Sequence, residues 1–122
     1  MTRSITLYLK DILRAINEIE EFMKDMPYDD FSQDIKAIRA VTMNFIIIGE
    51  ASKQIPRETR AQYDIPWTKI IGMRNILTND YPQTDVEIVW KTAKNRLPAL
   101  KEAVDALMEN ENSKKRVKLG KE

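Results

Sequence analysis

At 122 residues the chain has room for one domain, with a core large enough to stand without disulfides or a structural metal. It contains no cysteine and no histidine, which excludes thiolate chemistry, His-ligated metal and every imidazole-based acid–base pair. A net charge of +1 with 32% charged residues gives no global electrostatic case for nucleic acid or membrane, and is that of a soluble, cytoplasmic type of surface. The longest unbroken apolar run, residues 45–48, is far too short to span a bilayer, and the N-terminus lacks a signal-peptide core. With three glycines and five prolines the chain reads as all-α.

The first helix is expected over about residues 4–26, with Ser4 as N-cap and Pro27 as its stop. Ile5, Leu9, Ile12, Ile16, Ile19, Met23 and Met26 recur at alternating spacings of four and three, an unbroken seam for packing along another helix. Residues 1–30 carry four basic and seven acidic side chains, which suit a solvated face or a basic partner. A second helix is expected from Asp29 or Asp30 to about Ile55, ended by Pro56, with Phe31, Ile35, Ile38, Thr42, Phe45 and Gly49 on one side. The run Phe45-Ile46-Ile47-Ile48 is apolar all round; burial in the domain's own core and a subunit interface both account for it.

Residues 56–66 read as a connection with a short helical turn over 58–63. A third helix starts at Pro66 or Trp67, where proline suits the first turn, and runs to about Asp80, with Pro82 as its stop. The fourth begins after Thr84 or Asp85 and repeats the seam through Val86, Trp90, Ala93, Leu97, Leu100, Val104 and Leu107, with Pro98 inside it as a bend. Two seams of matched length, joined through two further helices, predict a compact bundle of four main helices over residues 1–108. Residues 109–122 hold five basic and three acidic side chains without periodicity. They read as a charged, disordered tail, or as a basic arm for RNA or a partner.

The most informative segment is residues 67–81. On a helical wheel Trp67, Ile70, Ile71 and Leu77 define one apolar face, Arg74 falls in its middle and Tyr81 lies almost beneath it. An inward arginine must be paired, lodged at a subunit boundary or aimed into a groove. Two readings stand side by side: an internal ion pair with a carboxylate such as Glu50 or Asp85, and a cation able to hold a phosphate bidentately. Asn75 and Asn79 share a neighbouring face with Gly72, and Asn79 sits about 140° from Arg74. In a straight helix the two meet only if the end loosens before Pro82 or if a second copy completes the site. Read singly, Asn79 is an ordinary residue for a helix end.

This cluster resembles the signature of the HEPN superfamily, specifically the HepT-like toxins paired with minimal nucleotidyltransferase antitoxins. That signature is an arginine, a polar residue, three more, a histidine, one residue and a tyrosine; here it reads Arg74, Asn75, Ile76-Leu77-Thr78, Asn79, Asp80, Tyr81. Gly49-Glu50-Ala51 resembles the family's Gly-Glu-Ala element, and Trp67, Ile70 and Gly72-Met73-Arg74-Asn75 resemble its Trp-x-x-Ile-x-Gly-x-Arg-Asn stretch. Asp85, Val89-Trp90 and Leu97-Pro98-x-Leu100 follow at family-like spacing, so that the resemblance covers about residues 5–108.

The resemblance implies an all-α HEPN-like homodimer that cleaves RNA without a metal or cofactor. It assigns Arg74 to the phosphate, Asn75 to positioning and the residue at 79 to proton transfer. Tyr81 is implied as the side chain that the partner nucleotidyltransferase modifies with AMP. The chain departs from the pattern at Asn79, where the family has histidine. A carboxamide does not titrate near neutrality and cannot shuttle a proton, so the chain as written is expected to be nearly or wholly inactive. Two accounts of Asn79 stand: an inactivating replacement in a toxic protein, or a natural member that has lost catalysis. The alternatives to a nuclease toxin are a non-catalytic helical subunit that presents substrate to a nucleotidyltransferase, and a bare dimeric interaction module.

Overall fold

The computed structural model describes residues 4–80 and 85–120. Seven helices occupy them: α1 (Ile5–Met23), α2 (Tyr28–Gln33), α3 (Ile35–Gln54), α4 (Arg57–Arg60), α5 (Trp67–Asp80), α6 (Val86–Asn95) and α7 (Leu97–Gly120). The all-α class is as expected, and the described residues include no strand. None of these helices is long and apolar enough to cross a membrane.

The first seam is buried as its spacing requires, with Leu9, Ile12, Ile16, Ile19 and Met23 all turned inward. α1 ends three residues earlier than expected. Asp25 adopts a left-handed backbone, with φ of 56°, and Pro27 disfavours helical geometry in the residue before it. The expected second helix is two. Asp34 is extended and its carboxylate accepts the Ala37 N–H at 3.0 Å, so it closes α2 and caps α3. Phe31 of α2 is fully buried and stacks obliquely on Trp90 of α6, its ring centroid 5.5 Å away.

α3 is the central element, packed against α1 and against α5. It therefore buries polar side chains as well as apolar ones. Asn44 donates to the Ala40 carbonyl at 3.0 Å and Ser52 to the Ile48 carbonyl at 2.7 Å, which satisfies both within the helix. Thr42 is 1% exposed and its hydroxyl makes no hydrogen bond. Thr42→Val keeps the shape and removes the orphaned group, so it should stabilise the fold by about 1 kcal/mol in urea unfolding. A loss of stability would mean that the hydroxyl has a partner.

The expected fourth helix also divides. Arg96 breaks the ladder, and Pro98 becomes the second residue of α7, where its missing N–H would have had no helical partner. Ala93, Leu97, Val104 and Leu107 of the seam are buried, so its two halves still serve one core. The compact bundle thus has four long helices, α1, α3, α5 and α7, with the ten-residue α6 set between the last two.

The boundary expected at residue 108 is not a structural break. α7 runs on to Gly120, through residues expected to be a disordered tail. Extending a formed helix through lysine, glutamate and arginine is far cheaper than starting one. Asn110 donates to the Tyr63 hydroxyl at 2.6 Å, and Lys114 to Gln62 at 2.8 Å, so the extension is tied to the α4–α5 connection. That connection holds its own shape: Trp67 Nε1 donates to the Arg60 carbonyl at 3.0 Å, and Ile55 and Ile65 are buried beneath it.

Candidate functional site

The position of α5 on α3 is set at Gly49. A Cβ added there would overlap the Cβ of Arg74, lie 2.9 Å from its Cγ and lie 3.2 Å from the Ile70 carbonyl oxygen. Hydrogen in place of a side chain lets the two helix backbones approach this closely. Trp67 and Leu77 are buried, with Ile70 and Ile71 half-buried, so the face drawn by the wheel does turn inward and Arg74 does sit on it.

The arginine is paired. Its Nη2 lies 2.8 Å from Glu50 Oε2, the residue next to Gly49, and its Nη1 donates to Asn75 Oδ1 at 2.8 Å. Asp85, the other carboxylate considered, instead caps α6 by accepting the N–H groups of Glu87 and Ile88. Arg74 Nε is buried without a hydrogen-bond partner. Glu50 Oε2 is likewise buried and meets the guanidinium as a close charge contact without hydrogen-bond alignment. The Arg74 side chain remains 27% exposed. Its guanidinium thus has an inner edge turned to α3 and an outer end beside the exposed Asn75. A cation held in this way can take a phosphate oxygen at its outer end.

Arg74 and Asn75 are therefore brought together. Asn79 lies in the last turn of α5, and its side chain falls outside the described residues, as does Tyr81 altogether. Of the two carboxylates that the sequence offers to Arg74, Glu50 is the one that meets it. The dipeptide Gly49-Glu50 carries both the close approach and the charge that meets Arg74.

Two further features frame the site. On the outward stripe of α3 that carries Glu50, Met43 is 54% and Ile47 38% exposed, and on α5 Ile76 is 60% exposed. Of the apolar run, Phe45 and Ile48 enter the core while Ile46 is half-buried. A groove of about 460 Å³ lies along α5, lined by Ile70, Met73, Leu97 and Leu100 with Lys69 and Arg96; neither Arg74 nor Asn75 lines it. Among the described residues no group of three or more acidic, His or Cys side chains is placed to hold a metal.

Residues 12–107, which include this whole arrangement, match the family described as ribonuclease HepT-like. The chain belongs to the ribonuclease HepT-like family. This HepT-like chain is 44% identical over 102 residues to "Probable ribonuclease HepT" of Thermococcus cleftensis, covering 83% of the chain and 93% of that protein. It is 36% identical over 104 residues to "Putative RNase MJ1380" of Methanocaldococcus jannaschii, covering 84% of the chain and 95% of that protein. A further relative from the same organism, "Gamma-glutamylcyclotransferase and putative RNase MJ0434", is 39% identical over 119 residues. The HepT-like chain spans about half of that protein, 54% of its length. No solved structure gives a significant match.

Proposed function

We propose that this HepT-like chain is the toxin subunit of a prokaryotic toxin–antitoxin pair, a metal-independent HEPN endoribonuclease acting in the cytoplasm. The observation that carries the reading is the Arg74 guanidinium, anchored on α3 by Glu50, hydrogen-bonded to Asn75 and still 27% exposed along its side chain. In RNA cleavage the ribose 2′-oxygen loses its proton and attacks the adjacent phosphorus, and the 5′-oxygen leaves with a proton gained. The pentacoordinate phosphorane carries extra negative charge, which a fixed cation stabilises. Arg74 supplies that cation, Asn75 holds its outer nitrogen, and residue 79 is the seat of proton transfer. With asparagine there the chain as written is strongly impaired. The cognate minimal nucleotidyltransferase is the antitoxin, and AMP transferred to Tyr81 would block the site.

The working unit is a homodimer. The uncovered apolar side chains Met43 and Ile47 beside Glu50 support this, because a second copy seated there would bring two Arg74 sites together across one interface. The chain should sediment as a dimer at micromolar concentration, and Ile47→Glu should shift it to monomer. A clean monomer for the unsubstituted chain would count against this arrangement.

The complete absence of histidine favours one alternative: a non-catalytic helical subunit that presents Tyr81 or another substrate to a nucleotidyltransferase. Paired induction in a bacterial host of the chain and its Asn79→His variant separates the two. Growth arrest with cleaved RNA in the histidine form alone is the expected result. A folded variant that stays harmless while the partner complex still forms would favour the alternative.

A further inference from the structure

An arginine side chain has four rotatable bonds, and an exposed one samples many positions; a cation that must meet one phosphate oxygen in a transition state has to be held. Arg74 is held from three directions. Gly49 admits the foot of its side chain against α3, Glu50 meets Nη2 at 2.8 Å, and Asn75 takes Nη1 at 2.8 Å. These contacts do different things. Asn75 is a neighbour on the same helix and moves with Arg74, whereas Glu50 belongs to α3, and although its side chain is 47% exposed it ties the guanidinium to that second helix. Glu50 is also a carboxylate lying beside the place where a phosphate would bind. Its charge opposes substrate binding while its position orients the cation. A residue that served only to stabilise the fold would have no reason to trade one against the other.

We propose that Glu50 is a positioning residue of the site: it holds the inner edge of the Arg74 guanidinium so that the outer end faces the scissile phosphate, at the expense of ground-state affinity for RNA. The inference rests on the ribonuclease reading.

The test uses the full chain carrying Asn79→His as the active parent, with Glu50→Ala and Glu50→Gln added singly, and a single-stranded oligoribonucleotide as substrate. Melting temperatures confirm that each variant is folded; Glu50→Gln is nearly isosteric and secures the measurement if Glu50→Ala is unstable. In Glu50→Ala, kcat should fall by about 10- to 100-fold, as expected for loss of orientation. KM and the Kd for a non-cleavable 2′-O-methyl oligonucleotide should stay level or fall by up to about 3-fold, because a repelling charge has gone. Glu50→Gln keeps an acceptor and should recover part of the lost kcat with the same gain in affinity. A kcat within about 3-fold of the active parent, or weaker RNA binding with kcat unchanged, overturns the proposal. An Asn79→His parent that is itself inactive overturns the ribonuclease reading and the purpose given to Glu50 together, whereas an active parent indifferent to Glu50 overturns this inference alone.

Discussion

Asn79→His is expected to raise metal-independent RNA cleavage by about 10²- to 10⁴-fold over the chain as written, the usual contribution of one general acid–base group. The chain has no histidine that could already be serving, so the variant introduces the only imidazole. Residue 79 lies in the last turn of α5, five residues beyond the arginine whose guanidinium is tied to Glu50 and Asn75. Imidazole titrates near pH 6.5, and the variant should therefore show a rate that changes through neutrality where the parent shows almost none. Cleavage should survive EDTA. Adding Arg74→Ala to the variant should return the rate to background, since the charge that meets the phosphorane has gone. Cleavage that persists in the Arg74→Ala, Asn79→His double variant would sink the role assigned to Arg74.

The second large effect concerns two glycines that look alike in sequence. At Gly49 the added Cβ meets the first carbons of Arg74 and a backbone oxygen of α5. None of these is the free end of a flexible side chain, so α5 itself must move. Gly49→Ala should therefore destabilise by about 1–3 kcal/mol from overpacking, offset only in part by better helix propensity. At Gly72 nothing lies within 4 Å of the added Cβ, and Gly72→Ala should stabilise α5 by about 0.5–1 kcal/mol. Thermal melts of the two variants side by side should move in opposite directions. A Gly49→Ala protein that melts with Gly72→Ala would mean that the close approach at Arg74 is not how α5 is seated.

These effects mark where the sequence was legible. The seam of α1 and the inward stripe of α5 were readable because helix periodicity alone decides which positions share a face. The breaks at Asp34 and Arg96 were not, because a four–three spacing of apolar residues continues across a short interruption and the capping bond of Asp34 is a local event. The extension of α7 escaped for the opposite reason. Residues 109–116 carry no apolar stripe, and their order comes from length added to an existing helix and from polar ties to Tyr63 and Gln62.

Composition and periodicity along the chain are enough for the all-α class, the faces of the long helices and an arginine on an inward face near a polar helix end. The family is legible there too, because several short elements agree in order and spacing, and the lack of histidine rules out imidazole chemistry in the chain as written. Which carboxylate meets Arg74 is settled by packing, since the sequence offers both Glu50 and Asp85 and the choice depends on where α5 rests. That resting place is set by the missing side chain at Gly49, a contact between residues 25 positions apart that no local pattern encodes. Once α5 is seated there, Glu50 is the charge within reach and Asp85 is left to cap α6. Packing distance, rather than sequence spacing, made the pair.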